Sequence, residues 1–245
     1  MAPVAVVTGG SRGIGAACVR LFADRGWRVA VLCEKNAAAA EALCAELRGQ
    51  GRDAAWQLCD VADEKQVSAA FGWVRERFGP VSALVNNAGI SWTGLLQDMT
   101  AAEWDRLFAV NVRGAFLCAR AVLPEMISRR QGSIVQVSSM WGETGGSCET
   151  AYSASKAALI GLTRALAKEA GPSGVRVNCV SPGVIDTEMN SHLTQADLAA
   201  LAEETPLGRI GQAEEVARAV LFLCGAEAAF ITGQVLPVNG GIVIG

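Results

Sequence analysis

Apolar and polar positions follow two periods along the chain. Short β-branched runs predict strands at Val4–Thr8, Arg28–Cys33, Ala54–Cys59, Val81–Asn86, Ser133–Ser138, Val175–Val180 and Gln234–Val238. Between them, apolar residues recur at helical spacing. They predict helices at Ile14–Arg25, Ala37–Arg48, Glu64–Phe78, Trp104–Ser128, Tyr152–Ala170, Ala196–Glu204 and Ala213–Leu223. The strands are nearly continuous apolar runs, as strands covered on both faces should be. The alternation predicts an α/β fold: a doubly wound, seven-stranded parallel sheet with helices on both faces. No linker, repeat or low-complexity block interrupts it, so residues 1–245 read as a single domain.

Ligands of such sheets bind beyond the carboxyl ends of the strands. Those ends carry Thr8-Gly9-Gly10, Cys33-Glu34-Lys35, Asp60-Val61, Asn86-Asn87-Ala88-Gly89, Ser138-Ser139 and Ser181-Pro182-Gly183. All are small, polar or glycine-rich. The first continues as Ser11-Arg12-Gly13-Ile14-Gly15 into a helix. Glycines let a backbone approach a ligand closely. A helix start presents free N–H groups and a positive dipole end, which suit a pyrophosphate. The spacing is G-x-x-x-G-x-G, not the general G-x-G-x-x-G fingerprint.

Composition narrows the chemistry. The net charge is −3 and no basic stripe appears, so a nucleic-acid partner is not expected. A single histidine, His192, argues against a His-clustered metal site and leaves one candidate for imidazole catalysis. It falls in an expected exposed loop and is assigned no role. The eight cysteines are never closer than 11 residues, so no C-x-x-C zinc or redox pair exists. No uninterrupted apolar run reaches the ~18 residues of a membrane span. The expectation is a reduced, cytoplasmic, soluble protein with no metal and no membrane contact.

The chain has one tyrosine, Tyr152, at the head of its most regular helix, with Lys156 four residues on. Positions i and i+4 share a helix face. A phenol has a pKa near ~10, and a nearby ammonium lowers it. The pair can then act as a general acid/base toward a carbonyl or alcohol oxygen. Ser139, at a strand end, is placed to bond the same oxygen; Ser138 competes with it for that role.

Taken together, T-G-x-x-x-G-x-G at 8–15, N-N-A-G at 86–89, Asn111, Ser139, Y-x-x-x-K at 152–156 and P-G at 182–183 resemble the short-chain dehydrogenase/reductase family. The resemblance covers essentially the whole chain and implies a Rossmann-like fold. Within the family, Val175-Arg176-Val177-Asn178, Pro206-Leu207-Gly208-Arg209 and Ile231-Thr232-Gly233-Gln234 look like the bacterial 3-oxoacyl-(acyl-carrier-protein) reductase type.

The resemblance implies roles. Tyr152 is the proton donor in reduction. Lys156 lowers its pKa and holds the nicotinamide ribose. Ser139 orients the carbonyl, and Asn111 holds a water of a proton relay, although an asparagine in a helix can be incidental. Gly9, Ser11, Arg12, Gly13, Ile14 and Gly15 line the phosphates. Asp60 and Val61 meet the adenine. Asn87, Ala88 and Gly89 support the ribose. Pro182, Gly183, Ile185 and Thr187 contact the nicotinamide half.

The resemblance also bears on cofactor and substrate. NAD-binding members place an acid where Cys33 stands, and Arg12 matches the basic residue of NADP-binding ones. Glu34 opposes a 2′-phosphate and Lys35 offsets it. NADP(H) is favoured, with NAD(H) possible. The expected reaction is reduction of a 3-oxoacyl thioester, with a sugar, steroid or small-alcohol dehydrogenase, or a non-catalytic cofactor binder, as alternatives. Trp92, Trp141 and Cys148 flank the substrate side. A segment between Pro182 and Gly211 forms a lid. An acidic acyl carrier protein requires a basic patch, for which Arg129, Arg130 and Arg176 are candidates, while Gly171–Gly174 is neutral. A homotetramer built through the two long helices and the C-terminal region is implied.

Overall fold

A computed structural model describes residues 2–191 and 193–244; His192 lies outside them. The chain runs β1 (Val4–Thr8), α1 (Gly13–Asp24), β2 (Arg28–Cys33), α2 (Ala37–Gly49), β3 (Ala54–Leu58), α3 (Glu64–Phe78) and β4 (Ala83–Asn86). There follow α4 (Ala101–Phe108), a π-helical turn (Ala109–Arg113), α5 (Gly114–Arg129), β5 (Gly132–Val137), α6 (Trp141–Thr144), α7 (Thr150–Ala170) and β6 (Val175–Pro182). The last part holds β7 (Ile185–Asp186), α8 (Gln195–Glu204), β8 (Gly211–Gln212), α9 (Ala213–Cys224) and β9 (Val235–Val238).

Seven strands form one parallel sheet in the order β3-β2-β1-β4-β5-β6-β9. The chain winds outward from β1 in one direction and from β4 in the other. The switch point, where a ligand crevice opens in such sheets, is therefore the β1/β4 junction. Thr8 ties it shut from behind: its Oγ1 donates to the Val85 carbonyl and accepts from the Asn87 and Ala88 amides.

Alternate residues of the strands feed two cores. Val7, Val31 and Val135 pack with α1, α2 and α9 on one face. Val6, Leu84 and Ile134 pack with α3, α5 and α7 on the other. Every residue of β1 is buried, which is why the sequence reads there as an unbroken apolar run. The edge strand β3 is mostly half-buried, and its sequence signal is correspondingly weaker.

The predicted strand and helix positions hold within a few residues, with three differences. The long helix is broken by a π turn around Asn111. The pairing of β7 with β8 and the short α6 carry no periodic signal because each is held by tertiary contacts. The run Ala101–Arg129 also has a mean hydropathy of 1.4 over 18 residues, long and apolar enough by composition to cross a membrane. The expectation of no such stretch counted uninterrupted apolar residues, which Arg113 and Arg120 break. In this fold half of that window is buried, against the sheet, α3 and α7. It is the central covering helix of the second core.

Candidate active site

At the switch point a cleft of about 690 Å³ opens. The loop after β1 forms one wall through Gly9, Ser11, Arg12, Gly13 and Ile14. Gly9 and Gly13 have φ of 60° and 50°, which bends the loop tightly onto the start of α1. Arg12, at the N-cap of α1, makes no side-chain cap. The first amides of the helix are thus left for an anion. Gly15 stands behind the wall. A Cβ there would meet the Gly9 carbonyl oxygen at 2.2 Å and Asn87 Nδ2 at 2.6 Å, so its bare Cα permits close helix-to-loop packing.

Asp60, Val61, Asn87, Ala88, Gly89 and Thr187 also line the cleft. Pro182, Gly183 and Ile185 do not. Pro182 accepts from the Met140 amide, Ile185 is buried in the first core, and Gly183 packs against Asn239. The Ile185 carbonyl accepts from the Thr187 hydroxyl and so ties Thr187 to this segment. This glycine cradle and uncapped helix start fit a dinucleotide, with the strand-end residues flanking its two halves.

The catalytic candidates converge at the end of β5, beside the cleft. Ser138 and Ser139 separate cleanly. Ser138 Oγ donates to the Lys156 carbonyl at 2.9 Å and so holds α7 to the sheet. The Ser139 hydroxyl faces the Tyr152 phenol, and its oxygen accepts from the Trp141 amide at 3.2 Å. Burial pushes the phenol up to about 12; Ser139 opposes the rise and the Glu149 carboxylate adds to it. Lys156 lies on the same face, with Nζ 5.5 Å from the phenol ring centroid and donating to the Val137 carbonyl at 2.8 Å. Burial lowers its ammonium to about 8. For both groups desolvation, which disfavours charge, is the largest cause of the shift.

Asn111 is buried at the π turn, a feature that recurs at functional sites. Its Oδ1 accepts from the Ile90 amide at 2.8 Å, and its Nδ2 donates to the Ile90 carbonyl and to Ser155 Oγ. Ser155 Oγ in turn donates to the Tyr152 carbonyl at 2.7 Å. The side chain therefore clamps the loop after β4 to the catalytic helix. A relay water has only the remaining Oδ1 lone pair to bind. Gly89 joins this clamp to the cleft, since a Cβ there would lie 3.3 Å from Lys156 Nζ and 3.4 Å from Asn111 Oδ1.

On the substrate side, Tyr152 forms a small core with Leu107 and Ala151, against which Ile90, Trp92, Met99, Trp104, Phe108 and Trp141 pack. Trp92 lies over Gly94 and Trp141 over Gly146. The two loops are zipped by Gly94 N–H to the Cys148 carbonyl. The acids in this region include Glu103, bonded to Trp92 Nε1, and Glu149, bonded to Thr93.

At the adenosine end, Cys33 is buried, its thiol raised by desolvation against a hydrogen bond from Ser11. A neutral thiol thus occupies the end of β2. The residues there that the sequence did not assign include Arg106, Glu188 and Met189. Arg106 pairs with Glu34 and Asp60, and Glu188 pairs with Arg12 across the cleft mouth at 3.1 Å. Arg106 reads as an ordinary polar position of an amphipathic helix, and only the fold, which brings its guanidinium to the loops after β2 and β3, reveals its partners. Arg176 is withdrawn as a surface docking candidate, because its guanidinium donates to the Leu223 and Gly225 carbonyls at the end of α9.

The sheet and site define a nucleotide-dependent oxidoreductase. A family model described as Enoyl-(Acyl carrier protein) reductase matches residues 9–243. The chain is 40% identical over 239 residues to the 3-oxoacyl-(acyl-carrier-protein) reductase FabG of Pseudomonas aeruginosa, covering 98% of this chain and 96% of that protein. It is 39% identical over 241 residues to the protein of that name from Chlamydia trachomatis, covering 97% and 96%. A putative gluconate dehydrogenase from Agrobacterium tumefaciens superposes with a TM-score of 0.95 at 31% identity, over 99% and 97% of the two chains. The chain belongs to the short-chain dehydrogenase/reductase family of NAD(P)-dependent oxidoreductases.

Proposed function

We propose that this protein is an NADPH-dependent reductase of 3-oxoacyl thioesters, acting as one domain on a carrier-borne or small thioester. The observation that carries it is the buried phenol of Tyr152, facing Ser139 beside the cleft and held protonated at about 12. The dinucleotide supplies a hydride when bound. Ser139 and Tyr152 direct two hydroxyls at the substrate carbonyl oxygen. As negative charge develops there, Tyr152 gives up its proton. The developing alkoxide is a base of the order of hydroxide, whose conjugate acid has a pKa of about 15.7, so the transfer runs downhill. Lys156 lies under the phenol ring and offsets the charge left on it. Asn111 and Ser155 hold the two ends of the catalytic helix turn in register with Ile90.

The family description names an enoyl reductase, whose substrate accepts its proton on carbon. Two hydroxyls converging on one oxygen favour the ketone, as do the names of the relatives. The acids on the substrate side disfavour an anion such as gluconate, which needs a cation there. Purified protein with NADPH and acetoacetyl thioesters tests the reading; no turnover refutes it.

NADPH rather than NADH is supported by the neutral Cys33 and by Arg12. The Arg12–Glu188 pair is exposed and worth at most about 1 kcal/mol, so a 2′-phosphate can displace the carboxylate. Arg12→Ala should raise KM for NADPH far more than for NADH, and equal effects would refute the assignment. The exposed Arg129 and Arg130 support contact with an acidic carrier protein, and Arg130 reaches the neutral segment by donating to the Pro172 carbonyl. Eight free cysteines, all but Cys148 buried, support a reducing cytoplasm. Exposed Phe116, Ile127, Phe222, Phe230 and Ile244 support burial in a homotetramer. Light scattering at the mass of a monomer would refute it.

A further inference from the structure

Glu34 poses a problem for the NADPH reading, on which this inference rests. It lines the cleft immediately after β2, next to Cys33, the position from which an acid bonds a ribose 2′-hydroxyl in NAD-binding members. A 2′-phosphate carries a charge of about −1.5 to −2 and should be repelled. The structure gives this carboxylate two cations. Lys35 Nζ lies 3.3 Å from Glu34 Oε1, and Arg106 Nη2 lies 3.1 Å from the same oxygen. The other arm of Arg106 is fixed, with Nη1 2.9 Å from Asp60 Oδ2. Asp60 is itself pinned, since its Oδ1 accepts from the Ala62 amide at 2.9 Å. Lys35 is a mobile neighbour, its side chain 83% exposed, whereas Arg106 is 40% exposed and anchored at both ends.

We infer that Arg106 is a positioning residue for cofactor selectivity: from α4 it spans two strand ends, draws the Glu34 carboxylate toward Asp60 and neutralises it, so that a 2′-phosphate is admitted. Arg106 need not touch the cofactor. It acts by deciding where the Glu34 charge points. Without it, Glu34 and Asp60 face the adenosine end with Lys35 as the only remaining partner among these residues. The local charge then falls by one unit. Glu34 also becomes free to accept from a 2′-hydroxyl, which favours NADH.

The test is the ratio of the dissociation constant for NADPH to that for NADH, measured by calorimetric titration without substrate, with the KM ratio beside it, at low and high salt for the wild type, Arg106→Gln, Glu34→Gln and the double variant. Arg106→Gln should raise the ratio about tenfold, within the range expected of one partly exposed charge on a multiply charged ligand. High salt should shrink the change, as it would not for a packing defect. Adding Glu34→Gln should bring the ratio back, and Arg106→Lys should recover part of it. Equal shifts for both cofactors, or failure of Glu34→Gln to restore the ratio, overturns the inference. If Arg106→Gln does not fold, Arg106→Lys stands in for it: it should raise the ratio part of the way, and adding Glu34→Gln should bring it back; no rise, or no return, overturns the idea. The wild-type ratio separately tests the NADPH reading, since a wild type that prefers NADH can still shift as described.

Discussion

Replacing Tyr152 by phenylalanine removes one oxygen, and the structure separates what this does to chemistry from what it does to folding. With the phenol held at about 12, roughly one molecule in 10⁵ is ionised at neutral pH, one decade per pH unit. Reduction therefore starts from a donor that is already loaded. A positioned general acid contributes about 10²- to 10⁴-fold in rate, or about 3–5 kcal/mol of barrier, and Tyr152→Phe should lose that much. Folding should change little. The ring keeps its place in the small core with Leu107 and Ala151, and Ser139 Oγ keeps the Trp141 amide. The loss of one buried polar contact costs about 1 kcal/mol. The assay is the initial rate of NADPH oxidation with a saturating ketone, alongside a thermal melt and a cofactor titration. Activity within a few-fold of wild type would refute the proton-donor assignment. A collapse of the melt parallel to the activity would mean that the phenol is structural.

Three further outcomes follow from the same burial. The ammonium of Lys156, lowered from 10.5 to about 8, is charged below that pH and lost above it, so wild-type reduction should decline as pH rises through about 8 and not wait for 10 to 12. A flat profile from 7 to 9 would contradict this. Asn111→Ala should cost about 1–3 kcal/mol of stability, since the buried Ile90 amide loses its partner, and should lower kcat more than KM for cofactor; a change in KM alone would point to a different role. Raised folded-state pKa values stabilise a protein below the unfolded pKa and lose that contribution as pH rises. Cys44 is raised to about 11 and Cys59, Cys179 and Cys224 to about 12, all from 9.0 by burial. Denaturant melts should show stability falling above pH 9 by about 1.4 kcal/mol per unit for each thiol. Lys156 alone pulls the other way between 8 and 10.5. A stability that rises from pH 9 to 10.5 would show that the thiols are accessible.

Periodicity determined the fold because each strand of a doubly wound sheet is covered on both faces. That requirement writes an unbroken apolar run into a short stretch, as in β1 and β2. The phosphate loop was legible for a similarly local reason: glycines, a turn and a helix start are adjacent in sequence. Tyr152 and Lys156 were legible because one helical turn fixes their common face. Groups that act across the chain were not. Ser138 and Ser139 are equivalent as letters, and only the docking of α7 spends one on the Lys156 carbonyl and leaves the other facing the phenol. Asn111 looks like any helical asparagine until the π turn brings it against Ile90 and Ser155. The rise of the Tyr152 pKa is not legible from the pair alone, because desolvation belongs to the packed site. Arg106 is the extreme case. Its charge was visible, but its partners lie 46 and 72 residues away, and charge takes its meaning from what packing places within a few ångströms of it.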